Sequence, residues 1–296
     1  MDKSAADVAV AEPAPRRRNW WLRNPLAALA AMVLLLVVFI AIFAGVLSPH
    51  DPVNGNILDN LLPPLSTSFD GELYVLGTDA AGRDVLSVIL YGTRISLTVG
   101  IVSVLGAGLI GTAVGVVAGY FGGAVDEVAM RLVDVQLAFP FILLAIIIMF
   151  VLGQGFANVV VVLIVTTWPM YARIARAEAL RLRGAEYVLA ARTMGAGSGR
   201  IILRHIVPNA ATPLIVVASA AVPQMIILEA ALSFLGVGMP PNVASWGGLL
   251  AAGRDYLSQA WWVATFPGLA IMLTVLSVNI LGDALRDYLD PSLADK

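Results

Sequence analysis

Few residues in this chain could do covalent chemistry. It contains no cysteine, which removes disulfides, thiolate metal sites and thiol nucleophiles. There are two histidines, His50 and His205. They are expected on opposite sides of a membrane, so they cannot share a metal. Neither HExxH nor GxSxG occurs, which argues against a membrane-embedded hydrolase. The only lysines are Lys3 and Lys296. A phosphate-binding P-loop needs a lysine after its glycines, so this chain is no P-loop ATPase. If ATP drives it, the ATPase is another polypeptide. Gly106-Ala107-Gly108-Leu109-Ile110-Gly111 matches G-x-G-x-x-G but lies inside one apolar run with no strand before it, so a dinucleotide site is rejected.

What remains is a small set of polar residues embedded in apolar surroundings. Glu229, Gln224 and Asp134 are the candidate pathway or gate residues, because ionisable groups in a bilayer are costly and often functional. Glu229 is open to two readings, a gate or a structural partner for a nearby helix end. Asp134 is expected to pair with Arg131, three residues earlier. Gln136 lies in the same run.

The elements that must hold these residues are membrane helices. The 296 residues are 59% hydrophobic and 13% charged, about half the charged share of a soluble domain. Several apolar runs reach about 20 residues, enough to cross a bilayer. The expected architecture is all-α, with six spans at about 26–47, 95–119, 127–152, 156–173, 212–231 and 263–285. The expected organisation is a cytoplasmic tail over 1–25, then a first span and outer loop over 26–94. A five-span core over 95–285 and a cytoplasmic tail over 286–296 follow. Arg16, Arg17, Arg18 and Arg23 precede the first run, which is too long for a signal-peptide core and is read as uncleaved. Trp20 and Trp21 fit an interfacial anchor. With both termini in the cytoplasm, only Arg83, Arg94 and Arg254 fall outside, in accord with the positive-inside rule.

Several local expectations follow. Val85–Arg94 looks amphipathic and is expected along the outer membrane surface. Pro140 is expected to kink the third span. Glu127 and Arg131, four apart, can pair. Gly111, Gly115 and Gly119 share a helix face and are expected to admit a neighbouring helix closely. Thr212 and Pro213 read as the start of the fifth span, and Asp290-Pro291 as the stop of the sixth. Trp246, Trp261 and Trp262 are expected as interfacial anchors. Asp79, Arg83 and Asp84 either contact a soluble partner or pair locally in the outer loop.

One polar stretch interrupts the apolar core, Arg181–Asn209, RLRGAEYVLAARTMGAGSGRIILRHIVPN. It is basic and helical in pattern on both sides of Gly195. Tyr187, Val188, Ala191 and Met194 recur at helical spacing. Ala190 and Ala191 keep the surface low for a partner's groove. Gly195 and Gly197 allow a sharp bend. The next helix carries Arg200 and Arg204, and Pro208 is expected to end it. Such a loop suits docking of a soluble protein; the plainer alternative is a surface loop whose arginines face lipid phosphates.

EYVLAARTMGAG followed by RIILRHIVPN resembles the EAA loop of ABC importer permeases, in particular the C-type permease of the dipeptide/oligopeptide/nickel family. The matching positions are Glu186, Ala190, Ala191, Gly195, His205, Val207 and Pro208. The glutamate lies upstream of its usual place and His205 stands where the general pattern has isoleucine; both departures are typical of the peptide subgroup. Leu76–Gly100, Ile227–Pro241, Ser245-Trp246-Gly247 and Leu281–Pro291 also resemble that subgroup, so the likeness covers about residues 16–291.

The resemblance implies a type I ABC importer permease in the bacterial inner membrane. It implies a homologous second permease, two cytoplasmic ATPases and an extracytoplasmic substrate-binding protein, and no nucleic acid. The chain itself would bind no cofactor, with ATP and magnesium held by the ATPases. Glu186, Tyr187, Ala190, Ala191, Gly195, Arg200, His205 and Pro208 would form the ATPase-coupling surface. Substrates in the family range over dipeptides, longer peptides, glutathione, nickel chelates and some sugars; dipeptides or oligopeptides are the expected substrate here, with half of the translocation pathway formed by this chain, and glutathione, a nickel chelate or another small solute is the alternative. The competing class is an ion-coupled secondary transporter acting alone, which usually needs ionisable sites near the midplane.

Overall fold

A computed structural model of the chain describes residues 24–68 and 71–289. The expectations for Arg16, Arg17, Arg18, Arg23, Trp20, Trp21 and Asp290-Pro291 lie outside the described residues.

Helix α1, Pro25–Leu47, begins on a proline, whose missing N–H is not needed in the first turn. Its sequence is apolar on all sides, with a mean hydropathy of 3.2. It therefore has no single buried stripe, and it lies against α2 and α9 with most of its side chains outward.

The polar segment that follows folds onto the end of α2, Val85–Phe121. Its regular structure is one 3₁₀ turn at Ile57–Asp59 and a two-stranded antiparallel ribbon, β1 Ser66–Thr67 with β2 Leu73–Tyr74, paired Ser66 to Tyr74. Asp84 starts α2 by accepting from the amides of Leu86 at 3.3 Å and Ser87 at 3.0 Å. The capped start carries the helix straight through the segment expected to lie on the membrane surface. Val85 and Val88 are buried with Leu249, Trp262 and Val263, so protein rather than headgroups covers that face. At 37 residues α2 is about 55 Å long, well beyond a hydrocarbon core of about 30 Å.

The expected third span is two helices, α3 Gly123–Leu137 and α4 Phe141–Leu152, bent by 90°. Pro140 marks the break, which is far sharper than a kink because the residues before it leave the helix altogether. Helix α5, Phe156–Arg183, runs ten residues past its expected end at Arg173. Ala175, Ala179 and Leu182 extend its apolar stripe at helical spacing and pack against Val116 and Tyr120 of α2.

After α6, Glu186–Thr193, the chain enters α7, Ser198–Phe234, which runs unbroken through Pro208 and Pro213. Thr212 and Pro213 are therefore not a helix start, and Pro208 does not end the preceding helix. At Pro208 the reason is a π-helical turn at Ile202–Ile206, closed by Val207 N–H to the Ile202 carbonyl. A proline cannot donate to the carbonyl four residues back, and it crowds that group. The wider turn just ahead of Pro208 absorbs both effects.

Helix α8, Trp246–Gly253, is capped by Ser245, whose hydroxyl accepts from Gly248 N at 3.1 Å. Helix α9, Trp262–Leu289, closes the fold against α7, α1 and α8. Five described helices are long and apolar enough to cross a membrane, and the bent pair α3–α4 makes a sixth.

Two of the expected interfacial tryptophans are instead core residues. Trp246 is buried and donates to the Ile89 carbonyl at 3.0 Å. Trp262 is buried and donates to the Thr78 carbonyl at 3.1 Å. Each indole finds a protein acceptor, so neither needs the headgroup zone. Trp261 alone of the three is exposed.

Candidate coupling loop and membrane-embedded polar residues

The polar break begins where α5 ends, and α6 is laid against the protein by its own pattern. Val188 and Ala191 are buried with Ile201, Ile206 and Ala210 of α7. Tyr187 and Met194 face outward, 44% and 81% exposed, and Glu186 and Ala190 are exposed beside them. The expected low surface of Ala190 and Ala191 thus divides: Ala190 is on the outer face, whereas Ala191 anchors the helix from within.

The end of α6 needs Gly195. The Ala196 amide donates to the Ala191 carbonyl at 3.0 Å and the Gly195 amide to the Arg192 carbonyl at 3.0 Å. This is the paired hydrogen bonding of a Schellman cap, with Gly195 at the left-handed position, φ +84°. Gly197, at φ −68°, is extended and requires no glycine. Of the two glycines expected to make the bend, only Gly195 does so through its backbone.

His205 lies half-buried in the π turn, its ring 6.1 Å from that of Tyr187, so the two meet across α6 and α7. Asn209 Nδ2 donates to the His205 carbonyl at 2.6 Å. Arg200 and Pro208 are both exposed on the first turns of α7.

The candidate gate residues do not converge. Glu229 is completely buried; Ser96 Oγ of α2 donates to its Oε2 at 3.0 Å and Ser233 Oγ to its Oε1 at 2.9 Å. Ser233 Oγ in turn accepts from the Met239 amide at 3.1 Å. Gln224 is exposed on α7. Asp134 on α3 pairs with Arg173 of α5 at 2.6 Å, not with Arg131. Arg131 reaches Glu127 instead, at 3.9 Å. Gln136 accepts from Trp168 Nε1 at 3.0 Å.

Gly111, Gly115 and Gly119 face α5. A β-carbon would lie 2.4 Å from the Trp168 carbonyl oxygen at Gly111, 2.2 Å from that of Ala172 at Gly115, and 2.6 Å from that of Arg176 at Gly119. Only hydrogen side chains allow backbones this close.

Sequence reasoning missed an arginine ladder at the same end of the molecule. Arg176 grips Asp126 of α3 with both Nε and Nη2, the latter at 2.6 Å from Oδ2. Arg183 donates to the Gly119 carbonyl at 3.0 Å, which caps the end of α2. The signal was there in the charges at helix ends, but the pairing depends on how α2, α3 and α5 pack. In the outer loop Asp79 holds Arg83 at 2.7 Å and accepts from the amides of Ala81 and Arg83, while Asp84 caps α2. Arg83 also donates to the Pro241 carbonyl at 3.1 Å, so the set pairs locally and ties the outer loop to the segment after α7.

Long apolar helices, a bent helix pair and an anchored polar loop define a polytopic integral membrane protein. Residues 111–295 match the family described as "Binding-protein-dependent transport system inner membrane component". Residues 18–64 match "N-terminal TM domain of oligopeptide transport permease C". The chain is 40% identical over 292 residues to the di/tripeptide transport system permease protein DppC of Pseudomonas aeruginosa (strain UCBPP-PA14), covering 98% of this chain and 96% of that one. It is 44% identical over 281 residues to the glutathione transport system permease protein GsiD of Pectobacterium atrosepticum, covering 94% and 92%. An inward-facing structure of the MetNI methionine ABC transporter aligns with a TM-score of 0.57 at 19% identity, covering 69% of this chain and 96% of that one. At that identity the likeness speaks for the fold alone.

The chain belongs to the binding-protein-dependent transport system inner-membrane components. It is a multi-pass permease subunit of a bacterial ABC importer, and ATP hydrolysis belongs to a separate subunit.

Proposed function

We propose that this permease carries di- and tripeptides inward and takes its driving force through α6. The observation that carries the reading is the division of α6. Val188 and Ala191 fasten it to α7, and Tyr187, Ala190 and Met194 are left free for a partner. Force applied to that outer face would pass into α7, one continuous rod that reaches Glu229 and the outer segment. Rigid-body motion of packed helices is how such transporters change their accessible side. The peptide substrate is supported by full-length similarity to a di/tripeptide permease, and glutathione, itself a tripeptide, by similarity to a glutathione permease.

The assembly would comprise a homologous second permease, two ATPases holding ATP and magnesium, and a binding protein. α6 and both termini would lie on the cytoplasmic side, as the arginine distribution favours. Glu186, Arg200, His205 and Pro208 would frame the docking surface.

Reconstitution of the complete assembly in liposomes tests the reading. ATP-dependent, binding-protein-dependent uptake of labelled dipeptide or glutathione is expected. Uptake by this chain alone, driven by an ion gradient and indifferent to ATP, would overturn it.

A further inference from the structure

Arg183 ends α5 and Arg192 lies in the last turn of α6. Both line a cavity of about 520 Å³ where the ends of α2 and α5 meet α6 and the start of α7. Tyr120, Phe121, Ala196 and Ser198 complete its walls. One Arg183 nitrogen donates to the Gly119 carbonyl at 3.0 Å, which fixes the guanidinium and leaves its other N–H groups free. The Arg192 guanidinium lies 5.6 Å from the centre of the Tyr120 ring. The Tyr120 hydroxyl interacts with both Ser198 and the Arg192 guanidinium. Among the described residues no carboxylate pairs with either arginine. Asp126, on α3 nearby, is gripped by Arg176.

A third donor set faces the same space. Helix α7 starts at Ser198, and its N-cap Gly197 offers no side chain to the first-turn amides. The two guanidinium groups and the uncapped helix start favour negative charge. The cavity is also roomier than a bare ion needs. Phe121, exposed at the end of the α2 span, puts an apolar surface beside the cations. This juxtaposition is that of a phospholipid headgroup level, where basic pockets between helices hold anionic lipids.

We propose that this cavity is a phosphate-binding site, filled by the headgroup of an anionic phospholipid or by free phosphate. An occupant would bridge Arg183 of α5 and Arg192 of α6 and brace the coupling loop. Binding requires neither substrate nor ATPase, so it stands or falls separately from the transport reading.

The test is thermal unfolding of the purified full-length chain in nanodiscs. The arms are pure phosphatidylcholine, phosphatidylcholine with phosphatidylglycerol, and phosphatidylcholine with added inorganic phosphate. A rise in Tm with phosphatidylglycerol and not with phosphate identifies the lipid; a rise with phosphate in phosphatidylcholine alone identifies the free ion. In either case R183Q/R192Q and R192Q are expected to weaken the dependence on the added anion at least tenfold. R181Q, whose arginine pairs with Glu178 outside the cavity, is expected to keep it within twofold. S198D serves as a second variant that does not remove a cation: its carboxylate suits a first helical turn, so the protein should fold, yet it should abolish the anion-dependent rise. No preference for either anion over phosphatidylcholine, or wild-type response in both R192Q and S198D, would overturn the proposal.

Discussion

Ser96 of α2 and Glu229 of α7, 133 positions apart, are joined by a 3.0 Å hydrogen bond at a fully buried site. With Ser233 on the second carboxyl oxygen, the side chain is satisfied entirely by protein. We propose that a group so enclosed is a clasp between two spans, since a gate would need to face the path. Substitution E229Q preserves shape and hydrogen-bonding capacity, so transport within about twofold of wild type is expected. E229A leaves two serine hydroxyls and a cavity, at a cost of about 2–4 kcal/mol, so a lower Tm and poor assembly are expected. Loss of uptake in E229Q with unchanged thermal stability would show a gate instead.

Gly115 is the tightest point of contact between α2 and α5, with the Ala172 carbonyl oxygen where a β-carbon would stand. Backbone cannot give way as a flexible side chain can. G115L should therefore separate the helices and destabilise the chain by about 1–3 kcal/mol or more. G197A makes a contrasting control, since a β-carbon there meets nothing within 4 Å and the backbone is extended. Thermal unfolding of both variants in detergent reads the difference; equal Tm values would show that the close approach carries no energy.

Gly195 separates bulk from backbone. A β-carbon there would have no neighbour within 4 Å, yet φ is +84°. G195A is expected to cost about 1–2 kcal/mol through left-handed strain, and G195N less, because asparagine tolerates that conformation. Transport-coupled ATPase activity should follow the same order, with a bulky β-branched residue such as valine abolishing coupling while the chain still inserts. Y187A should weaken ATPase co-purification and leave Tm unchanged, whereas V188D should unfold the loop. Normal coupling in G195V would count heavily against a docking role for α6.

Much of the architecture was legible because it rests on local quantities. Run length and hydropathy mark the spans without reference to any partner. The left-handed residue that closes α6 was legible at Gly195, because a helix end needs a residue without a β-carbon at that conformation. Pro140 marked the break in the third span, although the angle depends on what packs around it.

Other features were hidden for identifiable reasons. Pro208 and Pro213 both read as boundaries, yet the helix runs through both; ahead of Pro208 a π turn, one residue wider than the usual ladder, makes room for the ring. Asp134 read as the partner of Arg131, its neighbour in sequence, but Arg173 on another helix is the closer cation. Trp246 and Trp262 read as interfacial because indole favours that zone, and only the packing of α8 and α9 against α2 and the outer loop provides the carbonyls they bind.

By itself, then, the sequence determined that the chain spans a membrane repeatedly, that it lacks its own ATPase chemistry, and that Arg181–Asn209 has the pattern of a coupling loop. Tertiary structure alone decided which side of α6 is free, which carboxylate meets which arginine, and that Glu229 is enclosed. The physical reason is that lipid is as apolar as a protein core. Hydropathy can place a residue in the membrane, but only the packing of distant segments distinguishes a neighbour made of lipid from one made of protein.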